Sequence, residues 1–270
     1  MVVVTGAGVL LLLVLVVGVL LVLTSALCDV DPFWLTLDDA RARAREIVPY
    51  VGILGIVYLF NRSSHAVGQR LSAAIGLDIT GTLHALEGNF VADLQGAFPY
   101  EFAEYFSFVY LFGFAFTLAF PVVAYFVLPS QRYLKELFVA YAVNYGAGAA
   151  CYVLFIAYGP RNVIATVREP MFELYPQVVA ITAAVNSSAN VFPSLHASLT
   201  VTVWLMAWRT RDEYPLWPWI STFTVVNIIA STMFLGIHWL IDVIAGIGLA
   251  VISVAVALRV TARESATGGP

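Results

Sequence analysis

His238 and Asp242 stand four residues apart in "STMFLGIHWLIDVIAG" (231–246), inside a long apolar run. On a helix that spacing stacks the two side chains on one face. A second histidine, His196, opens another apolar run in "VFPSLHAS" (191–198), and "YGPRN" (158–162) carries Arg161. These residue types suit attack on phosphorus. An imidazole becomes a good nucleophile when one ring nitrogen gives its proton to a carboxylate, which fixes the tautomer and frees the other lone pair. Asp242 is spaced to do this for His238, and His196, with an ordinary pKa of about 6.5, can protonate a departing alkoxide. The phosphoryl oxygens need cationic or N–H donors. Arg161 offers its planar fork, and the first N–H groups of a helix beginning beside Ser194 would be free donors. A His–Asp pair can also be a plain polar staple between helices; a second histidine and an arginine at the same level weigh against that reading.

The rest of the chain must position these groups, and its composition says in what solvent. Of 270 residues, 61% are hydrophobic and 11% charged, where a soluble domain is nearer a quarter charged. So little polar surface predicts an integral membrane protein. The net charge of −4 gives no footprint for nucleic acid. The two cysteines, Cys28 and Cys151, fall at different depths of apolar runs and predict neither a disulfide nor a nucleophile.

A helix crosses the hydrocarbon in about 20 residues. Seven runs qualify as expected spans: 2–27, 46–60, 104–128, 137–157, 194–208, 217–236 and 239–260. The predicted fold is an all-α, polytopic transmembrane bundle of one membrane domain, 1–270. An extra N-terminal span occupies 1–28, a six-helix core covers 46–260, and 261–270 is a polar tail. Pro121 predicts a kink in the third span; Gly146 and Gly148 allow close helix approach in the fourth. The first run lacks the basic n-region of a cleaved signal sequence and is read as a span. With seven crossings, Arg41, Arg43, Arg45, Arg132, Lys135, Arg209, Arg211, Arg259 and Arg263 share one side. That side is predicted to be cytoplasmic, which puts His196, His238 and Arg161 at the outer face of the cell membrane.

Two longer connections, 61–103 and 158–193, then lie outside. The first predicts one or two short interfacial helices, because Asp78, Glu87 and Asp93 interrupt its apolar pattern. His65 and His84 read as solvated or structural. "HALEG", with His84 and Glu87, is a candidate head-group contact, and Arg168 a candidate supplement to Arg161. Asn61 and Asn186 head glycosylation-type triplets, a weak signal.

"PSLHAS" followed by "STMFLGIHWLIDV" resembles the type 2 phosphatidic acid phosphatase superfamily, integral-membrane phosphoesterases that work through a phosphohistidine. Pro193, Ser194 and His196 match its Pro-Ser-Gly-His motif, and Ser231, His238 and Asp242 match its Ser-Arg-x5-His-x3-Asp motif. The resemblance implies His238 as nucleophile, Asp242 as its orienting partner, His196 as acid–base, and Ser194 as phosphate ligand, with no metal or other cofactor. Three positions depart from it. Leu195 replaces the motif glycine, and Thr232 stands in the arginine's place beside Ser231. The Lys-x6-Arg-Pro motif is reduced to Pro160-Arg161, the one lysine being Lys135. The first two departures resemble the inositolphosphotransferase branch, similar to inositol phosphorylceramide synthase. That implies transfer of a phosphoryl head group from a membrane phospholipid or isoprenoid-phosphate to an alcohol, with Ser231 and Thr232 donating hydrogen bonds to the phosphate. With water as acceptor the same site is a monoester phosphatase. Two other classes fit some of the residues. A zinc-dependent intramembrane amidohydrolase would need His65 or His84 as a third metal ligand; a transporter would use His and Asp as a proton relay.

Overall fold

A computed structural model describes residues 15, 16, 18–26, 35–63, 65–175 and 189–267. The expected span 2–27 and Cys28 fall largely or wholly outside these residues, as does Asn186. The described chain is mostly helical. The helices used below are α1 (Leu37–Ser63), α2 (His65–Ile75), α3 (Thr80–Glu87), α4 (Phe90–Ala97), α5 (Phe102–Val127), α6 (Arg132–Leu154), α7 (Leu195–Arg209), α8 (Trp217–Phe234) and α9 (Leu240–Thr267). A two-residue parallel pair, β1 (Leu77–Asp78) with β2 (Phe155–Ile156), ties the first outer connection to the end of α6.

Among the described residues three helices are long and apolar enough to cross a membrane: Phe102–Val127, Arg132–Leu154 and Leu240–Glu264. The expected spans 46–60, 194–208 and 217–236 coincide with helices that do not qualify in this way. The first third of α1 carries Asp38, Asp39, Arg41, Arg43, Arg45 and Glu46. α7 has 15 residues, about 22 Å at 1.5 Å per residue. α9 does not stop near residue 260 but runs to Thr267, its Glu264 accepting a hydrogen bond from Tyr50 Oη at 2.5 Å. α5 continues through Pro121, and its one departure from α geometry is a π turn at Val109–Gly113.

The helices pack around a core of Phe120, Tyr125, Leu134, Leu137, Leu199, Met206, Tyr214 and Trp217. Outward faces are apolar too: Phe108, Phe112, Trp219, Phe223, Val226, Val251 and Ile252 are all exposed. An apolar exterior of this extent suits lipid rather than water. Inside, polar side chains join helices. Asn144 on α6 donates to Thr202 Oγ1 on α7 at 2.8 Å and accepts from Ser198 Oγ.

Charged groups gather at one end. Arg132 and Arg209 both bind the fully buried Glu136 carboxylate, at 2.9 and 2.7 Å, and Lys135 pairs with Glu46 at 2.7 Å. Arg43 donates to the Phe126 and Leu128 carbonyls beside them. Because α7 runs from His196 to Arg209, about 20 Å, the histidine end of the bundle lies away from this basic end.

The 65–103 connection holds three short helices where one or two were expected, and they pack onto the histidine end. Gln95 on α4 donates to the Phe234 carbonyl at 2.7 Å, at the last turn of α8, and exchanges hydrogen bonds with the Arg168 backbone.

Candidate active site

Two helix starts and one tight turn build the site. Ser194 caps α7, its Oγ accepting from Ala197 N at 3.3 Å, which places His196 in the first turn. α8 ends at Phe234, and Gly236 takes a positive φ of 68° to reverse the chain, a conformation that costs a glycine little. The reversed backbone returns to α8: Ile237 N and His238 N both donate to the Thr232 carbonyl, at 3.0 and 3.2 Å. α9 then starts, with Trp239 N donating to Asp242 Oδ2 at 2.9 Å. The two starts touch directly. Ser194 N donates to the Asp242 carbonyl at 3.0 Å, and a Cβ on Gly246 would lie 2.4 Å from the Ser194 carbonyl.

The "YGPRN" segment lies against this turn. Arg161 N donates to the Gly236 carbonyl at 3.1 Å, and a Cβ on Gly159 would meet the Ile237 carbonyl at 2.3 Å. Glycine at 159, 236 and 246 is therefore what lets three backbones approach.

The resulting constellation brings His196, His238, Asp242, Ser194 and Arg161 together. The two imidazole centroids are 6.0 Å apart. His238 Nδ1 is 3.5 Å from Asp242 Oδ2, just beyond hydrogen-bond length. His238 Nδ1 and Asp242 Oδ1 are both buried and without a hydrogen-bond partner. Buried orphans of this kind demand a reason, and a small ring rotation would bring His238 Nδ1 within hydrogen-bond reach of Asp242 Oδ2. Arg161, its side chain 15% exposed, lies over the Phe172 ring at 4.4 Å with Glu169 at 4.0 Å. It is close enough to His238 for their charges to interact. His196 is packed by two aromatic rings, Tyr110 at 4.4 Å and Phe114 at 4.3 Å.

Ser231 and Thr232 are placed differently from the expectation. Both are fully buried, and their hydroxyls donate back into α8, to the Ile228 carbonyl at 2.7 Å and the Ile229 carbonyl at 2.8 Å. Buried serine and threonine commonly bond this way in helices. The part Thr232 visibly plays is through its carbonyl, which holds the His238 backbone. Arg168 is an exposed residue, bound to Glu173 at 2.8 Å and lying over the Tyr100 ring at 3.9 Å.

The Leu195 departure has a packing explanation. Its side chain fills the space that Gly148 on α6 leaves open, where a Cβ would sit 2.6 Å from Leu195 Cδ2. Bulk at the motif position is matched by its absence on the facing helix.

"HALEG" proves to be structural in an unforeseen way. Glu87 reaches over α9 and accepts from Leu240 N at 2.9 Å and Ile241 N at 3.1 Å, one amide per carboxylate oxygen. Those two orphan donors of the helix start are thereby satisfied. His84 packs its ring 5.9 Å from Trp239, whose Nε1 donates to the Tyr158 carbonyl at 2.8 Å. Burial raises the Glu87 carboxyl above its usual range, against the two N–H contacts that lower it. A carboxyl so raised holds its proton more tightly in the fold than unfolded, so this group's contribution to stability declines as pH rises through that window. Glu87→Gln offers one oxygen where two N–H groups need partners. We expect it to cost about 1 kcal/mol and to lower kcat by loosening the His238 turn, read by thermal unfolding and initial rates. Unchanged values in both would mean the cap is dispensable.

Among the described residues no group of three or more His, Cys, Asp or Glu is placed to hold a metal ion. His84 is occupied at Trp239, and the His65 side chain lies outside the described set.

With this geometry in view, the comparisons are specific. A family model described as the PAP2 superfamily matches residues 83–256. That stretch begins at α3 and contains every residue of the constellation. The uncharacterized protein MJ0662 of Methanocaldococcus jannaschii is 26% identical over 176 residues, covering 63% of this chain and 68% of that protein. No solved structure matches the chain.

Proposed function

The chain belongs to the PAP2 superfamily, and on that premise we propose that it is a membrane-embedded lipid phosphotransferase or phosphatase working through a phosphohistidine. The observation that carries this reading is the pair of imidazoles from separate helix starts, 6.0 Å apart, with Asp242 behind one and Arg161 beside it.

In the proposed reaction His238 Nε2 attacks the phosphorus while Asp242 takes the hydrogen bond from Nδ1–H, stabilising the imidazolium that forms. The phosphorus–oxygen bond to the leaving alcohol breaks, and His196 gives that oxygen its proton. An acceptor alcohol or water then attacks the phosphohistidine, His196 takes the acceptor's proton, and the phosphorus–nitrogen bond breaks to return His238. Arg161 and the N–H groups at the start of α7 hold the phosphoryl oxygens.

We further propose a phosphodiester lipid as donor and an alcohol as acceptor, as in the inositolphosphotransferase branch. A diester carries one negative charge where a monoester carries nearly two, which suits a site with Arg161 alone in place of a lysine and two arginines. The seven-crossing topology, with this end of the bundle at the outer face of the cell membrane, belongs to the same proposal. It is supported by the clustering of Arg43, Arg132, Lys135 and Arg209 at the opposite end.

Purified protein incubated with a panel of phosphodiester and phosphomonoester lipids tests the proposal, scoring free phosphate against transferred head group. Transfer from a diester supports the branch, phosphate release from monoesters alone reduces it to a phosphatase, and turnover of neither sinks it. Activity should be indifferent to chelators. Arg161→Ala is expected to raise KM by about 10- to 100-fold, as for loss of a charge-assisted contact worth about 1.5–3 kcal/mol, with a smaller effect on kcat. An unchanged KM would remove Arg161 from substrate capture.

A further inference from the structure

The π turn Val109–Gly113 is the one break in the α geometry of α5. Such turns are frequent at functional sites, because the extra residue re-aims side chains. The side chain aimed here is Tyr110. Its ring lies nearly flat on the His196 imidazole, 4.4 Å between centroids and 24° between planes. Tyr110 is 8% exposed, and its phenol is close enough to Arg161 for the two charges to interact. Among the described residues its hydroxyl makes no hydrogen bond, and it is not one of the fully buried atoms left without a partner, so its oxygen keeps some accessible surface. Its polar neighbours include Tyr152 together with His196 and Arg161, the two groups between which a transferring phosphoryl group would have to sit.

We propose that the Tyr110 hydroxyl is a further catalytic donor, giving a hydrogen bond to a non-bridging phosphoryl oxygen as it gains charge. The proposal rests on the reading of this site as a phosphoryl-transfer centre. It answers a deficit visible in the chain itself. Lys135 is committed to Glu46 at the far end of the bundle, Thr232 stands where an arginine is absent, and the hydroxyls of Ser231 and Thr232 are spent on helix carbonyls. One guanidinium plus a neutral phenol suits a phosphoryl group carrying a single charge. Preorganised donors in a water-poor site are effective because they need no reorientation as the charge develops. Stacking against His196 holds the phenol at the level of the proton donor.

Tyr110→Phe removes only the hydroxyl and keeps the ring and its stack. With the lipid substrate found active, kcat should fall by about 100-fold, the effect of losing one such donor, while KM stays within a few-fold and thermal unfolding is unchanged. Rapid-quench labelling of His238 should slow in proportion. Wild-type kcat in Tyr110→Phe overturns the proposal. So does a slow Tyr110→Leu beside a normal Tyr110→Phe, because the ring's packing is then what counts. Should Tyr110→Phe destabilise the chain, 3-fluorotyrosine at 110, close in shape and a stronger donor, must shift kcat; no shift there also overturns it. If the wild type turns over lipid without phosphate ever appearing on His238, the site reading itself fails. A labelled His238 with an indifferent Tyr110 fails this inference alone.

Discussion

His238→Ala is expected to reduce turnover to background, a fall of about 10⁶-fold, the scale seen when a covalent nucleophile is removed. No neighbour can take over. His196, the other imidazole of the pair, is packed against Tyr110 and Phe114, and among the described residues the carboxylate paired with an imidazole here, Asp242, stands behind His238. In the wild type, a short incubation with labelled donor lipid should leave acid-labile, alkali-stable phosphate on a peptide containing residue 238. The side chain is 3% exposed, so alanine also leaves a cavity; His238→Gln, nearer in volume, controls for that and should be equally inactive. Full activity in either variant would refute the assignment.

Asp242→Asn should be almost as damaging, lowering kcat by about 10⁴-fold, the effect of turning the carboxylate behind a catalytic histidine into an amide. Asp242 Oδ2 is the atom that accepts from Trp239 N–H at 2.9 Å and also the one nearest His238 Nδ1 at 3.5 Å. An asparagine with its oxygen in that place keeps the start of α9 but brings no charge to stabilise an imidazolium on His238. The rate should fall while the fold is kept. Thermal unfolding close to wild type beside a collapsed kcat is the expected pair of results. A rate within ten-fold of wild type would reduce Asp242 to a helix cap.

The constellation was legible because its members sit at helix starts and turns. Runs of apolar residues gave the order and direction of the helices after residue 100, and alternating directions bring the beginnings of α7 and α9 and the end of α6 to one level. His196, His238, Asp242 and Arg161 follow from that alone. The helper residues were not legible, since nothing local marks them. Glu87 caps a helix more than 150 residues away in sequence, and "HALEG" has no pattern that points there. Tyr110 is one aromatic among many in α5, and its aim depends on a π turn that tertiary packing imposes. Leu195 reads as a damaged motif until Gly148 is seen across from it. Ser231 and Thr232 differ in the other direction: motif spacing marks them as phosphate ligands, and in the fold their buried hydroxyls donate to helix carbonyls within reach.

The single pair of rings, with centroids 6.0 Å apart, also carries an expected order of events. With one nucleophile and one acid–base group in the proposed reaction, the donor's alcohol departs before the acceptor takes its place. Initial rates at varied donor and acceptor should therefore give parallel double-reciprocal lines, the ping-pong pattern. Each in-line displacement inverts the phosphorus, and two in succession return it to its starting hand. A donor chiral at phosphorus should yield product of retained configuration; inversion would mean direct transfer, with His238 never bonded to the group in flight.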